Sequence, residues 1–434
     1  MRYLLNALYF ILLVLLAPWL IWDSLRRGKS FAIWWNRWIG KSPSIQGDRR
    51  SIWLHAVSVG EVQLLQPLVR QLQKSCPDFD LVLSITTQSG YQLAAKLYPE
   101  LARFYAPLDF SWSIERVFRR LHPDLLILAE LEVWPNLILA SKRHGCPIAI
   151  VNGRLSDRSF RSYQRLGWLA RFIFRKIDWV GAQDETYAER FNALGCESSR
   201  VEVTGSMKFD NANFDRSHPE VLSRRQQLDL RAEDKVWVVG STQSPEESIC
   251  LEAYRKVLDS FPELKMILVP RHPERFDEVA EQLEQSGFRV YRRSRMSDQI
   301  PADWQILLGD TLGELRWWWG LADLGFVGGS FGNRGGQNMI EPAGYGVCVS
   351  FGPNTQNFRD VVHLLLDAQA ATVLDRPEDL SHWLQAMLTN ERQAELLGSR
   401  AQDVAKEHRG ATARTTQALQ RRFLIACQSI RRAA

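Results

Sequence analysis

Short apolar runs, each closed by a turn and followed by a stretch of helical spacing, recur along most of the chain. SIWLHAV, Ser51 to Val57, has the length and the β-branched and aromatic content of a buried strand, and Ser58, Val59, Gly60 and Glu61 lead from it into the helical pattern EVQLLQPLVRQLQK. Leu81 to Ile85, Leu125 to Leu128, Ile148 to Val151 and Trp179 to Gly181 repeat the unit, with a helix-forming segment after each. From Val203, VTGSMKFDNANFDRSHPE turns from strand to polar connector. A second series then begins with VWVVGST at Val236 and continues through Lys265 to Val269, Ile306 to Leu308, Leu321 to Val327 and Val347 to Val349. Beyond Ala371 the pattern is largely helical. Strands alternating with helices of this length predict a mostly parallel sheet covered on both faces. Two such series predict two α/β domains, placed at 31–212 and 213–405, with a final segment, 406–434, whose amphipathic helix QALQRRFLIACQSIRR docks back across the domain joint.

The beginning of the chain has a different pattern. From Tyr3 to Trp22 no side chain is charged. A helix of about twenty residues covers about 30 Å, the thickness of the hydrocarbon layer. Arg26, Arg27 and Lys29 follow at once, then Trp34, Trp35, Arg37, Trp38 and Lys41, an arrangement suited to an anionic cytoplasmic interface. A cleaved signal peptide is the competing reading, but its amino-terminal region would hold only Arg2 and no small-x-small cleavage pattern follows. Residues 1–30 are therefore expected to be a transmembrane or membrane-embedded anchor in the cell inner membrane, with the remaining domains on its cytoplasmic side.

Composition narrows the function classes. The 434 residues include six scattered cysteines without a CxxC pair, which fits a reducing compartment. The net charge of +5 favours phosphates or an anionic surface, while the absence of a finger, helix-turn-helix or RNP-like pattern argues against nucleic acid.

Functional side chains in such sheets are expected where strands end. Glu61 follows the first strand, where a helix N-terminus favours its ionised form and leaves it able to take a proton from a hydroxyl; a capping glutamate is the plain alternative. Glu130 and Glu132 follow the third strand in AELEVWPN, one read as facing substrate and the other as organising the loop. Arg154 follows the fourth. In RLSDRSFRSYQRLGWLARFIFRK, arginines alternate with aromatic residues, a pattern suited to lipid phosphates or to an ordinary solvated helix face. Lys208 lies near the connector. In the second series, Ser241 and Thr242 are placed to cap the next helix, Arg271 and His272 end a strand, and Arg275 stands just beyond. The stretch VGGSFGNRGGQNMIEPA, Val327 to Ala343, reads as strand, glycine turn and helix N-terminus, which brings free backbone N–H groups together for a phosphate, with Glu341 one turn inside for a sugar diol. It is neither a clean G-x-G-x-x-G nor a P-loop.

SVGE, ELEVWPN, NGRLSDRS, GSMKFD, STQSPEE, PRHPERF, GDTLGEL and FVGGSFGNRGGQNMIEPA, in this order, resemble the 3-deoxy-D-manno-octulosonic acid (Kdo) transferases of lipid A assembly over almost the whole chain. The resemblance implies a GT-B fold, two Rossmann-like domains facing a cleft, with one N-terminal membrane helix. It also implies inverting transfer of Kdo from CMP-Kdo to a tetraacylated lipid A precursor, without a metal or other cofactor and in contact with inner-membrane phospholipids. Glu61 becomes the general base, with Glu130, Glu132 and Arg154 on the acceptor side. Lys208, Ser241, Thr242, Arg271, His272, Gly313, Glu314, Leu315, Gly336, Gln337, Asn338 and Glu341 become donor-site residues. Gln337 and Met339 stand where the family usually reads His and Pro in GGHNPLEP; Gln337 retains a hydrogen-bond donor. The alternatives are a GT-B transferase using another nucleotide sugar and an inactive membrane protein that binds an anionic glycolipid.

Overall fold

The computed structural model of the chain describes residues 3, 5–7, 9–11, 13–15, 31–45, 49–296, 300, 301 and 303–424. The chain divides into two compact units, Met1–Asp210 together with Arg409–Ala434, and Asn211–His408.

The first unit holds a seven-stranded sheet made of β1 (Arg50–Ala56), β2 (Phe79–Ile85), β3 (Ala102–Tyr105), β4 (Leu125–Ala129), β5 (Ile148–Gly153), β6 (Trp179–Ala182) and β7 (Val201–Val203). Their spatial order is β3-β2-β1-β4-β5-β6-β7, and neighbouring strands run parallel. The apolar runs are continuous because both faces are covered. Ile52, Leu54 and Ala56 of β1 and Leu125, Ile127 and Ala129 of β4 pack into one core layer, while Trp53, Leu126 and Leu128 enter the layer on the opposite face. Each fully buried Leu or Ile contributes roughly 1.5–3 kcal/mol relative to exposure. The helix Ala411–Leu419 completes the first layer by packing against the helix Gln66–Ser75, with Ala418 and Leu419 buried.

The second unit repeats the plan with β8 (Lys235–Thr242), β9 (Leu264–Pro270), β10 (Val290–Arg292), β11 (Ile306–Leu308), β12 (Leu324–Val327), β13 (Cys348–Phe351) and β14 (Ala371–Val373). The order is β10-β11-β9-β8-β12-β13-β14, again parallel. In each sheet the strand order reverses beside the first strand in sequence, between β1 and β4 and between β8 and β12. Ligands of doubly wound sheets bind outside the carboxyl ends of strands at such a reversal. β3, β10 and β14 escape the sequence pattern, and Ala371–Val373, which the helical pattern covered, is an edge strand. Their three or four residues carry partly exposed side chains such as Arg103, Tyr291 and Thr372, so no apolar run marks them.

The expected membrane anchor is overturned. Among the described residues no helix is long and apolar enough to cross a membrane. The helical positions between 3 and 15 rise only about 20 Å, and their polar groups are engaged by the first unit. Asn6 donates to Ser111 Oγ at 2.7 Å and accepts from Ser111 N at 3.0 Å, and Tyr9 packs edge-on against Phe110. Residues 16–30 of the expected anchor, with Arg26, Arg27 and Lys29, lie outside the described residues. Its flank is also part of the fold: Arg37 Nε donates to Ala106 O at 2.9 Å, and Trp38 packs on Phe110 and Trp112. The inner-membrane placement that rested on this single helix falls with it.

Candidate active site

β1 ends at Ala56, and Ser58 caps the helix Val59–Leu64. Ser58 and Glu61 have the spacing of a capping box, serine at the cap and glutamate three residues on, but the carboxylate is turned inward and is only 8 % exposed. Its Oε2 accepts from Val57 N at 2.7 Å and its Oε1 from Ser58 Oγ at 2.9 Å. Burial pushes the carboxyl up to about 7, the charges of Glu132 and Glu130 push the same way, and the two hydrogen bonds oppose them. A carboxyl held in place and titrating near neutrality has the properties of a general base.

The two other acids come from the end of β4. Glu130 has φ 54°, in the left-handed region that costs a non-glycine residue strain, and its N–H donates to Val151 O at 3.0 Å. Its carboxylate lies 3.7 Å from Lys208 Nζ. Glu132 accepts from Trp134 Nε1 at 2.8 Å, and burial raises its proton affinity, assisted by the charge of Glu130. Asn136 of the same segment is fully buried and donates to Asp109 O at 2.6 Å. The Asp109 carboxylate in turn accepts from Asn136 N and Leu137 N at the start of the helix Pro135–Arg143. Asn152, at the end of β5 with φ 54°, accepts from Met207 N at 2.9 Å and so fixes the segment that carries Lys208. The first unit thus brings Glu61, Glu130, Glu132 and Lys208 together; Arg154 follows β5, partly buried. His55 is an interior group: its Nδ1 lies 2.8 Å from Ser84 Oγ, and burial pushes its pKa down to about 4.

In the second unit Ser241 and Thr242 close β8 without capping the next helix, Glu246–Leu258, whose cap position is Pro245. Ser241 has φ 58°, and Thr242 Oγ1 is buried without a hydrogen-bond partner among the described residues. Arg271 follows β9 with its N–H donating to Thr242 O at 3.0 Å, and the side chain is exposed. His272 Nδ1 lies 3.6 Å from Glu274. Arg275, just beyond, is held by Glu247 at 2.7 Å and Glu278 at 3.1 Å.

Gly313 has φ 83° in the turn after β11. Glu314 is bound by Arg224 at 2.6 Å, Arg293 at 2.9 Å and the Thr311 hydroxyl. Burial would raise its pKa, but the hydrogen bonds of Arg293 and Thr311 and the charges of both arginines bring it down to about 2. Glu314 therefore organises the turn. A Cβ on Gly240 would come within 2.4 Å of Trp319 and 3.0 Å of Leu315, so these two side chains brace the end of β8. Trp318 and Trp319 are buried, and Trp317 stacks on His218.

Within the glycine stretch, residues 329–331 are not open to a phosphate. The helix after it, Ile340–Gly344, has only five residues, too few to build much of a dipole. The N–H groups of Gly329, Ser330 and Phe331 are already bonded to the Glu246 carboxylate at 2.7, 2.9 and 3.0 Å. Side chains remain. Gly336, with φ 77°, donates to Gly329 O at 2.8 Å, and a Cβ on Gly329 would lie 3.2 Å from Gln337 and 3.3 Å from Gln243. Asn338 donates to Glu341 at 3.2 Å and accepts from Ile340 N at 3.0 Å. Burial raises the pKa of Glu341 while Asn338 and the charges of Arg316 and Arg271 oppose it. Met339 is fully buried.

Glu246, Gln243 and Arg316 were missed in the sequence. Adjacent acids opening a helix just after a strand end, as in STQSPEE, were the available signal for the first. Among the described residues no group of three or more His, Cys, Asp or Glu side chains could hold a metal ion.

Two doubly wound parallel sheets in separate units define a GT-B-like class of fold. A UDP-GlcNAc 2-epimerase structure from Neisseria meningitidis, 12% identical, matches with a TM-score of 0.53 over 86% of this chain and 100% of that one, a likeness of fold alone. The sequence settles the family. Residues 33–211 match the model of the 3-deoxy-D-manno-octulosonic-acid transferases. The 3-deoxy-D-manno-octulosonic acid transferase of Haemophilus influenzae is 34% identical over 84% of this chain and 85% of its own length. That of Bordetella pertussis is 34% identical over 85% and 86%. The chain belongs to the Kdo transferase family.

Proposed function

We propose that the protein transfers Kdo from CMP-Kdo to a hydroxyl of a lipid A precursor, with inversion at the anomeric carbon and release of CMP. The observation that carries this reading is Glu61, fixed by Val57 N and Ser58 Oγ and held near neutrality by burial and two neighbouring acids. The acceptor oxygen attacks the anomeric carbon as its proton passes to Glu61, and the bond to the phosphate oxygen breaks with its electron pair leaving on CMP. Glu130 and Glu132 keep the base from ionising too readily, and Arg154 faces the acceptor. Lys208, first assigned to the donor, is read here as the cation that balances Glu130.

On the donor side, Arg271 supplies charge to the phosphate, with Ser241, Thr242, His272 and Gln337 as hydrogen-bonding groups and Asn338 and Glu341 as sugar partners. Gly313 lets the backbone approach the ligand, while Glu314 and Leu315 support it. This chemistry needs no metal in the roles assigned.

The test is transfer by the purified full-length protein from CMP-Kdo to a tetraacylated disaccharide bisphosphate, read by product mass. Each addition of one Kdo mass supports the reading. Glu61→Gln is expected to reduce turnover by about 10² to 10⁴ with CMP binding intact. Undiminished turnover in that variant removes Glu61 from the role.

A further inference from the structure

Three consecutive backbone N–H groups of the glycine stretch, at 329–331, are taken by a side chain far away in sequence. Glu246 is the first residue of the helix Glu246–Leu258 and is 1 % exposed. One carboxylate oxygen accepts from Gly329 N at 2.7 Å and Gln243 N at 3.0 Å, and the other from Ser330 N at 2.9 Å and Phe331 N at 3.0 Å. The approach is close enough to exclude any side chain at 328, where a Cβ would lie 2.7 Å from Ser241 O and 2.8 Å from Glu246 Oε2. Ser330 then extends the frame, its hydroxyl accepting from Gly352 N at 2.8 Å.

We infer that Glu246 is the positioning residue of the donor half: it ties the Ser241–Gln243 turn to the glycine loop and so sets where Gln243, Gln337 and the loop's far side meet the nucleotide. The inference rests on the transferase reading above. A carboxylate is required because four N–H donors converge on it; an amide would turn an NH2 group toward two of them. With these donors occupied, residues 329–331 form a rigid wall beside the nucleotide rather than an anion nest.

Hydrogen exchange of the full-length protein, with and without CMP, tests this. The wild-type amides of residues 329–331 are expected to exchange as slowly as those of β12 and to be unchanged by CMP, while CMP slows exchange around 241–243 or 313–315. Fast exchange at 329–331, or protection gained there only on adding CMP, would overturn the inference. Glu246→Gln is expected to speed exchange at 329–331 at least tenfold and to weaken CMP binding tenfold or more by calorimetry. Glu247→Gln serves as the comparison: this neighbour is equally buried but bonded to Arg275, and CMP affinity should stay within twofold. Equal CMP affinity in wild type and Glu246→Gln also overturns the positioning role. Absence of CMP binding to the wild type sinks the transferase reading itself, and the exchange of the free loop then still decides whether Glu246 holds it.

Discussion

Glu61, the proposed base, shows how much of a side chain's chemistry is set by its neighbours. Its type and place after the first strand were readable in SVGE, but its proton affinity depends on burial and on two acids roughly seventy residues away. Burial is the largest influence raising its pKa to about 7, and Glu132 contributes more than Glu130. Below that pH the base carries its proton and cannot accept another, so transfer should rise with pH through about 7. Removing a neighbouring negative charge favours ionisation, so Glu132→Gln should move the acid limb of the kcat/KM profile to lower pH, and Glu130→Gln should move it less. A limb that stays in place in both variants would mean that these charges do not reach Glu61. The same limit of local reading explains the glycine stretch. The glycines advertise available N–H groups, but only the fold shows that Glu246 has already claimed those of Gly329, Ser330 and Phe331.

At the scale of elements, the long central strands and the turns after them were legible because burial on both faces writes an unbroken apolar run. The short edge strands β3, β10 and β14 were not, since their outward side chains face solvent. What the pattern also could not show is backbone strain at the strand ends. Glu130, Asn152 and Ser241 all have φ between 54° and 58°, and they end β4, β5 and β8. Asn152 has the clearest structural account: asparagine tolerates this region, and its Oδ1 satisfies Met207 N in a fully buried place. Asn152→Ala should therefore cost roughly 2–4 kcal/mol in the unfolding free energy of the first unit, combining φ strain with an unmet buried donor. Asn152→Gly should recover the strain but not the hydrogen bond. Equilibrium denaturation of the three proteins checks the order, and an alanine variant as stable as wild type would show that the bond to Met207 contributes nothing.

At the scale of the molecule, the first unit is discontinuous, and its last piece arrives after the whole second unit has been made. Periodicity predicted an amphipathic helix over 417–432, of which 425–432 lie outside the described residues; it could not reveal what receives the helix Ala411–Leu419. The receiving group is Asp210, at the very end of the first piece, whose two carboxylate oxygens accept from Gly410 N and Thr412 N, each at 2.6 Å. Beyond that clasp, Arg414 donates to Thr204 O at 2.9 Å, and Arg422 pairs with Glu202 at 2.5 Å. Buried Ala418 and Leu419 supply the apolar contact, so the charged groups set position while the core layer supplies most of the stability. Asp210→Ala leaves two N–H groups at the start of Ala411–Leu419 without their acceptor, a loss of about 1–3 kcal/mol for a charge-assisted pair. Because the loss is local, hydrogen exchange along 411–419 should quicken at least tenfold, whereas exchange in β8 and β9 should not change. Uniform acceleration across both units would instead mean that the clasp stabilises the chain as one cooperative body, and no change at all would leave the returning helix held by its apolar face alone.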